Sequence, residues 1–166
     1  IETVLSADDM QGRRTFTPGI EKAAAFIADE FKATGLKTLN NSGSYLQSFA
    51  MVRTKFLGTS GTFDGAALDK KDIIVVTTQA SISINETSGF EKITIGKTAN
   101  LMSEARKLAG LKKNALVIVD TSFAKTFSGL TRLKSNLFKS DKSVIFVLSA
   151  TNPTSYSIEA KHEITE

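Results

Sequence analysis

Two uninterrupted apolar runs constrain this chain more than any other feature: Ala115-Leu116-Val117-Ile118-Val119 and Val144-Ile145-Phe146-Val147-Leu148. Runs of this length, rich in β-branched residues, suit strands covered on both faces. Lys92 to Ile95 is a further strand candidate. Residues 99–109 predict a helix, with Thr98 as its cap, Leu101, Ala105 and Leu108 on one face, and Gly110 as its end. Phe123, Phe127, Leu130, Leu133 and Leu137 recur at intervals of three and four, which predicts another helix, weakened by Gly129. Strand, helix, strand, helix, strand therefore describes residues 92–149, a compact α/β unit.

The first third of the chain has a different character. Ser6-Ala7-Asp8-Asp9 reads as a helical turn that Ser6 caps, with both carboxylates where a helix N-terminus favours negative charge. Residues 10–19 hold two Gly and one Pro and read as a loop. Residues 18–34 predict a helix with Thr17 as N-cap and Pro18 at the first helical position. Its apolar face is Ile20, Ala23, Ala24, Ile27, Ala28 and Phe31, and Gly35 supplies a left-handed stop. Asn40 to Ser44 is a turn by composition. Strands are expected over 45–57, 72–78 and 81–85, with Gly58, Gly61, Gly65 and Gly89 as punctuation. Residues 155–164 alternate weakly through Tyr156, Ile158 and Ala160.

At 166 residues, the chain can bury roughly 70% of the surface that its unfolded form exposes. A hydrophobic share of 41% with 23% charged residues excludes intrinsic disorder. No apolar stretch is long enough to span a membrane. With no Cys there is no disulfide framework, thiolate metal site or cysteine nucleophile. One His excludes a two-histidine zinc site. A net charge of +4 is too small to argue for nucleic acid. The chain opens at Ile1 without a signal-type segment, which reads as a processed or trimmed piece.

Few residues offer chemistry. His162 lies among charges in 159–163 and reads more readily as an exposed terminal side chain than as a base or ligand. Asp8-Asp9 could share a proton or a metal, although helix-start chemistry explains them. Asp120 ends a buried strand, where open α/β sheets gather ligands, but a turn-forming Asp is the commoner explanation. Arg13 or Arg14 could meet a carboxylate or phosphate, or tie loop carbonyls together. Lys112, Lys113, Lys134, Lys139 and Lys142 bias the second half towards a solvated basic face. Asn85-Glu86-Thr87 matches a glycosylation acceptor, a frequent false positive. There is no Walker loop, dinucleotide fingerprint, nucleophile elbow or His-Glu-x-x-His helix. The residues thus nominate no catalytic, cofactor-binding or metal-binding set.

The stretch Leu5-Ser6-Ala7-Asp8-Asp9-Met10-Gln11-Gly12-Arg13-Arg14 through Pro18-Gly19 to Ala24 resembles the opening of clan MH zinc aminopeptidases. This group includes bacterial leucyl aminopeptidase, glutamate carboxypeptidase and the transferrin-receptor ectodomain. The Ala-rich helix ending at Gly35-Leu36 and the aromatic-x-Gln-x-Phe pattern Tyr45-Leu46-Gln47-Ser48-Phe49 are similar to further family features. Residues 55–158 resemble, more loosely, the protease-associated domain that many bacterial members carry as an insert. Asn114-Ala115 stands where Gly-Ala is usual, and no Pro precedes the strand at Val144.

The resemblance implies a mixed α/β (α+β) chain with three parts. Residues 1–50 would be an N-terminal helical segment of the peptidase fold. Residues 51–158 would be a protease-associated-like, β-rich insert with a β-α-β core. Residues 159–166 would begin the return to the peptidase domain. It implies a non-catalytic region of an exported, periplasmic or extracellular, zinc aminopeptidase. No residue matches the family's zinc ligands or catalytic acid, which lie downstream of the insert in members that carry one. Zinc is then expected only in the parent's catalytic half. The insert would act as a lid, a substrate-access wall or a partner-binding module. Expected partners are that catalytic domain and peptide or protein substrates, with self-association through residues 20–31 also open. No nucleic acid or membrane span is expected. Two other classes stay open: a free-standing protein-binding module, and a small-molecule or nucleic-acid binder using the strand ends near Asp120 and the lysines of 107–142, which would show salt-dependent binding of polyanions.

Overall fold

A computed structural model describes all residues except 15–16, 48–49, 111–112, 136 and 166. The chain divides into two units, Ile1–Ser48 and Phe49–Glu166, and is a mixed α+β protein.

The first unit is helical. A single turn, α1 (Glu2–Leu5), ends at Ser6, whose Oγ donates to Thr3 O. Ser6 therefore closes the preceding turn, and does not cap the next one as its sequence position suggested. Asp8–Arg13 is a 3-10 segment broken by left-handed backbone at Gln11 and Gly12. α2 spans Pro18–Ala33. Thr17 has the extended backbone of an N-cap, but its hydroxyl donates back to Arg14 O and makes no cap bond to the helix. The predicted C-terminal stop is present. Gly35 has φ +73°, Leu36 N–H donates to Phe31 O, and Gly35 N–H donates to Lys32 O, the two bonds of a Schellman motif.

Gly19 lets α2 meet the preceding 3-10 segment, because a Cβ there would lie 2.1 Å from Met10 O. Gly19, Ala23 and Met10 are buried. The rest of the apolar stripe is only partly covered. Ile20 and Phe31 are exposed, as are Leu36, Leu39 and Leu46. Phe31 meets Tyr45 edge-to-face at 6.1 Å, and Tyr45 Oη donates to Leu36 O.

The second unit is layered. One sheet has the order β2-β1-β9-β4, with β7 also paired to β1. Its strands are β1 (Met51–Phe63), β2 (Ala66–Ala67), β4 (Ser81–Asn85), β7 (Leu137–Phe138) and β9 (Tyr156–Thr165). The other sheet has the order β3-β8-β6-β5, from β3 (Ile73–Val76), β5 (Glu91–Ile95), β6 (Ala115–Val119) and β8 (Val144–Leu148). β5, β6 and β8 run parallel and β3 is antiparallel to β8.

Every residue of β6 is buried, and its side chains alternate between two cores. Leu116 and Ile118 join Ile145, Val147, Tyr156 and Ile158 between the sheets. Ala115, Val117 and Val119 join Phe146, Leu101, Ala105, Phe127 and Leu130 on the helical side. The layers are thus sheet, sheet, helix. This explains why the two apolar runs that dominate the sequence carry no polar alternation.

Several expectations change. The helix after β5, α3, spans Leu101–Ala109 and so begins at Leu101 rather than Ala99. Asn100 caps it, its side chain accepting from Ser103 N–H in place of Thr98. Gly110 ends α3 with right-handed backbone, φ −81°. The region expected as a helix from Phe123 holds two 3-10 segments instead, Thr121–Phe123 and Phe127–Lys134. Spacings of three and four suit either geometry.

The strand expected from residue 45 starts at Met51 and runs on through Gly58 and Gly61. Ser48 and Phe49, part of the family-like aromatic pattern, and Thr15 and Phe16, in the family-like opening, lie outside the described residues. A bulge at Leu57 separates the pairs Phe56–His162 and Gly58–Lys161. Gly61 faces inward, where a Cβ would press on Ile73 and Ile158 side chains at 3.2 Å. Asp64-Gly65, with φ +45° and +81°, makes the two-residue turn from β1 to β2. The C-terminal segment, weakly patterned in sequence, is a ten-residue strand between β1 and β4. Residues 159–165 belong to that strand.

Candidate functional site

His162 is not the exposed terminal side chain that its charged neighbours suggest. It is 4% exposed, in line with Tyr156, Ile158 and Ala160 on the inward face of β9. Its backbone N–H donates to Ala80 O at 2.8 Å. Neither ring nitrogen has a hydrogen-bond partner among the described residues. Phe56 packs on the imidazole at 5.7 Å between centroids, and Lys134 Nζ sits 4.6 Å from the centre of the Phe56 ring.

Burial lowers the His162 pKa, and the nearby Lys134 ammonium lowers it further. Burial also lowers the Lys134 pKa. At neutral pH this cluster is therefore a neutral imidazole, a phenyl ring and a cation held by cation–π attraction. No local pattern announces this contact, because its members come from residues 56, 134 and 162.

A second feature is a polar groove of about 310 Å³ along β4. Ser81, Ile82, Ser83 and Ile84 form one wall, with Asn114, Ser143 and Gln79 among the other lining residues. The polar groups behind it are cross-braced. Thr77 Oγ1 and Ser143 Oγ share a buried hydrogen bond of 2.7 Å, and Asn114 Oδ1 accepts from Ser143 N–H at 3.0 Å. Gln79 Nε2 donates to Asp141 O at 2.8 Å. The sequence pointed to Asn114 only as a departure from a Gly-Ala pattern and to no role for Thr77, Gln79 or Ser143, since isolated Thr, Ser and Asn at strand ends carry no pattern.

Asp120 stands at the C-terminal end of β6, as expected, and caps the following turn through Ser122 N–H at 2.9 Å. Its hydrogen bonds to Ser122 lower its pKa, with the Lys97 charge adding to the effect. The parallel strands follow one another in the order β5-β6-β8 without reversal, so the sheet offers no switch-point crevice beside Asp120.

Asp9 pairs with Lys22 at 3.4 Å across exposed surface, and Asp8 is exposed. Arg13 and Arg14 are exposed and make no ion pair with a described residue. Lys113 pairs with Glu91 and Lys142 with Asp141, while Lys112 lies outside the described residues. Asn85 Oδ1 accepts from Thr87 N–H, Thr87 Oγ1 and Ser88 Oγ, so the glycosylation-like triplet forms a closed turn.

Asp64, unremarked in the sequence, accepts from the backbone and hydroxyls of Thr154 and Ser155. These bonds lower its pKa and anchor the start of β9. A wider cavity, about 930 Å³, is lined by Thr78, Ala109, Gly110, Leu137 and Phe138 and neighbours. Its titratable lining residues are Lys139, Asp141 and Lys142, of which Asp141 and Lys142 pair with each other.

Among the described residues no three His, Asp or Glu side chains come together to hold a metal. The one imidazole faces a lysine, which opposes a cation. Among the described residues no set therefore fits a zinc centre. No described helix is long and apolar enough to cross a membrane. Compared with protein-family models, with curated proteins and with solved structures, the chain matches none.

Proposed function

We propose that the chain is a non-catalytic region of an exported zinc aminopeptidase-like protein: an N-terminal helical segment of the host fold followed by an inserted accessory module. The observation that carries this reading is the pairing of the module's first and last strands. Arg53 near the start of β1 stands opposite Thr165 near the end of β9. A chain continuing past residue 166 would leave about 5 Å from where it entered, one strand spacing away. Closely spaced ends are what insertion of a domain into a host fold requires.

The helical unit supports the same reading. Its exposed Ile20, Phe31, Leu36 and Leu39 leave an apolar stripe that a host domain would cover. Hydrolysis would belong to residues outside this chain, and the module would limit access of peptides or bind a partner. The test is the coding sequence beyond Glu166 and the metal content of its whole product. The reading predicts a His-x-Asp within a few dozen codons, bound zinc and hydrolysis of a leucine anilide. It also predicts that replacing residues 51–165 by a short Gly-Ser linker leaves zinc bound. A stop codon directly after Glu166, or a zinc-free and inactive product, overturns it.

A further inference from the structure

We infer that the free edge of β4 is a docking site for an extended peptide, which adds to the sheet as an antiparallel strand through Ser81 and Ser83. The hydrogen-bond register decides which groups are free. His162 N–H bonds to Ala80 O, and hydrogen-bonded pairs alternate along an antiparallel ladder, so Ile82 and Ile84 turn their backbone groups towards Ala160 and Ile158 on β9. Ser81 and Ser83 turn theirs the other way. On that alternation the N–H and C=O of Ser81 and Ser83 lie outside the β9 ladder, and both residues are exposed. Asn85, the next in phase, is already closed by Ser88. Two residues spaced by two, each offering a donor and an acceptor, match one added strand with four hydrogen bonds.

Several other edges among the described residues are guarded. β2 and β7 are two residues long, β3 is buried along its length, and β5 opens with the exposed charges Glu91 and Lys92. Short length, burial and charge are ordinary ways of blunting an edge. β4, Ser-Ile-Ser-Ile-Asn, has no charge, no Pro and no bulge.

The groove beside it states what side chain fits. In an added strand, the residue opposite Ile82 points to the inward side of the sheet, as Ile82 does. That side is the groove lined by Asn114, Ser143 and Gln79, together with Asp141, whose carboxylate is already paired with Lys142. An uncharged hydrogen-bonding side chain, Ser, Thr, Asn or Gln, suits it. The flanking peptide residues supply N–H and C=O to Ser81 and Ser83 and cannot be Pro. This inference does not depend on the peptidase reading, since it concerns β4 whatever follows residue 166.

The test is selection of random heptapeptides displayed on phage against the full chain, followed by amide exchange with the selected synthetic peptide. We expect enriched peptides with a polar central residue. We expect the Ser81 and Ser83 amides to exchange fast in the free chain, unlike Ile82 and Ile84, and to become protected by the peptide. Ser83→Pro removes an outward N–H only and should weaken binding about tenfold or more. Three outcomes overturn the proposal. One is no enrichment. Another is selected peptides that leave the Ser81 and Ser83 amides unprotected. The third is concentration-dependent protection of those amides without peptide, which would mean that a second copy occupies the edge. If Ser83→Pro fails to fold, the exchange pattern alone decides.

Discussion

The helical unit and the layered unit have equally regular apolar patterns and unequal burial. α2 carries Ile20, Ala23, Ile27 and Phe31 at helical spacing, yet only Gly19 and Ala23 of that helix are buried. α3 is shorter and less apolar, but Leu101 and Ala105 are buried because β6 and β8 lie beneath them. Periodicity states which face needs cover. Whether cover exists depends on strands brought in from far along the chain. The stability of this protein should therefore reside in the layered unit, with the helical unit held mainly by its own hydrogen bonds, the Schellman stop and the Gly19 contact.

The comparison breaks most visibly with a buried charge. Val117 and Phe146 are both 0% exposed, so Val117→Asp or Phe146→Asp would leave an unpaired carboxylate in an apolar core. Either should abolish cooperative melting of the layered unit, a loss of at least about 4 kcal/mol. Phe31→Asp, on a side chain 41% exposed, should leave that melt in place. Thermal denaturation followed by far-ultraviolet circular dichroism compares them, and an unaltered melt for Val117→Asp would show that β6 is not in a core.

A smaller effect comes from pH. The His162 pKa is lowered in the folded chain below its ordinary 6.5, by burial first and by Lys134 second. The unfolded chain then binds more protons, so this contribution to stability is complete above about pH 6.5 and is lost as pH falls towards the lowered folded value. Lys134 is the charged group facing the ring. Lys55, Lys161 and Glu163 occupy the alternate, outward positions of β1 and β9. Urea midpoints measured between pH 7.5 and 5 should fall less steeply for His162→Phe than for the natural chain. Equal slopes would mean that the imidazole is solvated.

Phe31→Ala should have the smallest effect, roughly 1 kcal/mol or less, because the ring is half exposed and loses chiefly its edge contact with Tyr45. A loss of about 3 kcal/mol in a urea titration would show that the α2 face is covered after all.

What the sequence revealed follows from the range of the interactions. The bounds of β4, β6 and β8 and the stop of α2 at Gly35 are local matters of run length, alternation and a left-handed glycine, and were legible. β9 was not. Its inward positions include Ala160 and His162, which dilute the alternation, and its central place depends on β1, about a hundred residues earlier. Gly58 and Gly61 looked like turns because nothing local shows that Gly61 is needed for the approach of Ile73 and Ile158. The groove along β4 was equally hidden. That the backbone groups of Ser81 and Ser83 lie outside the β9 ladder is a property of strand order and register, which no single segment carries.

Residue-resolved hydrogen exchange under native conditions in low, increasing urea tests the central contrast most directly. Amides of Val117, Phe146 and Ile158 should exchange only through global unfolding, with the full urea dependence of the layered unit. Amides of α2 from Ile27 to Phe31 should exchange through local opening, at a free energy several kcal/mol lower and with little urea dependence. If the α2 amides exchange at the same free energy and slope as Val117, the helical unit shares the cooperative core and the contrast drawn between the two units is contradicted.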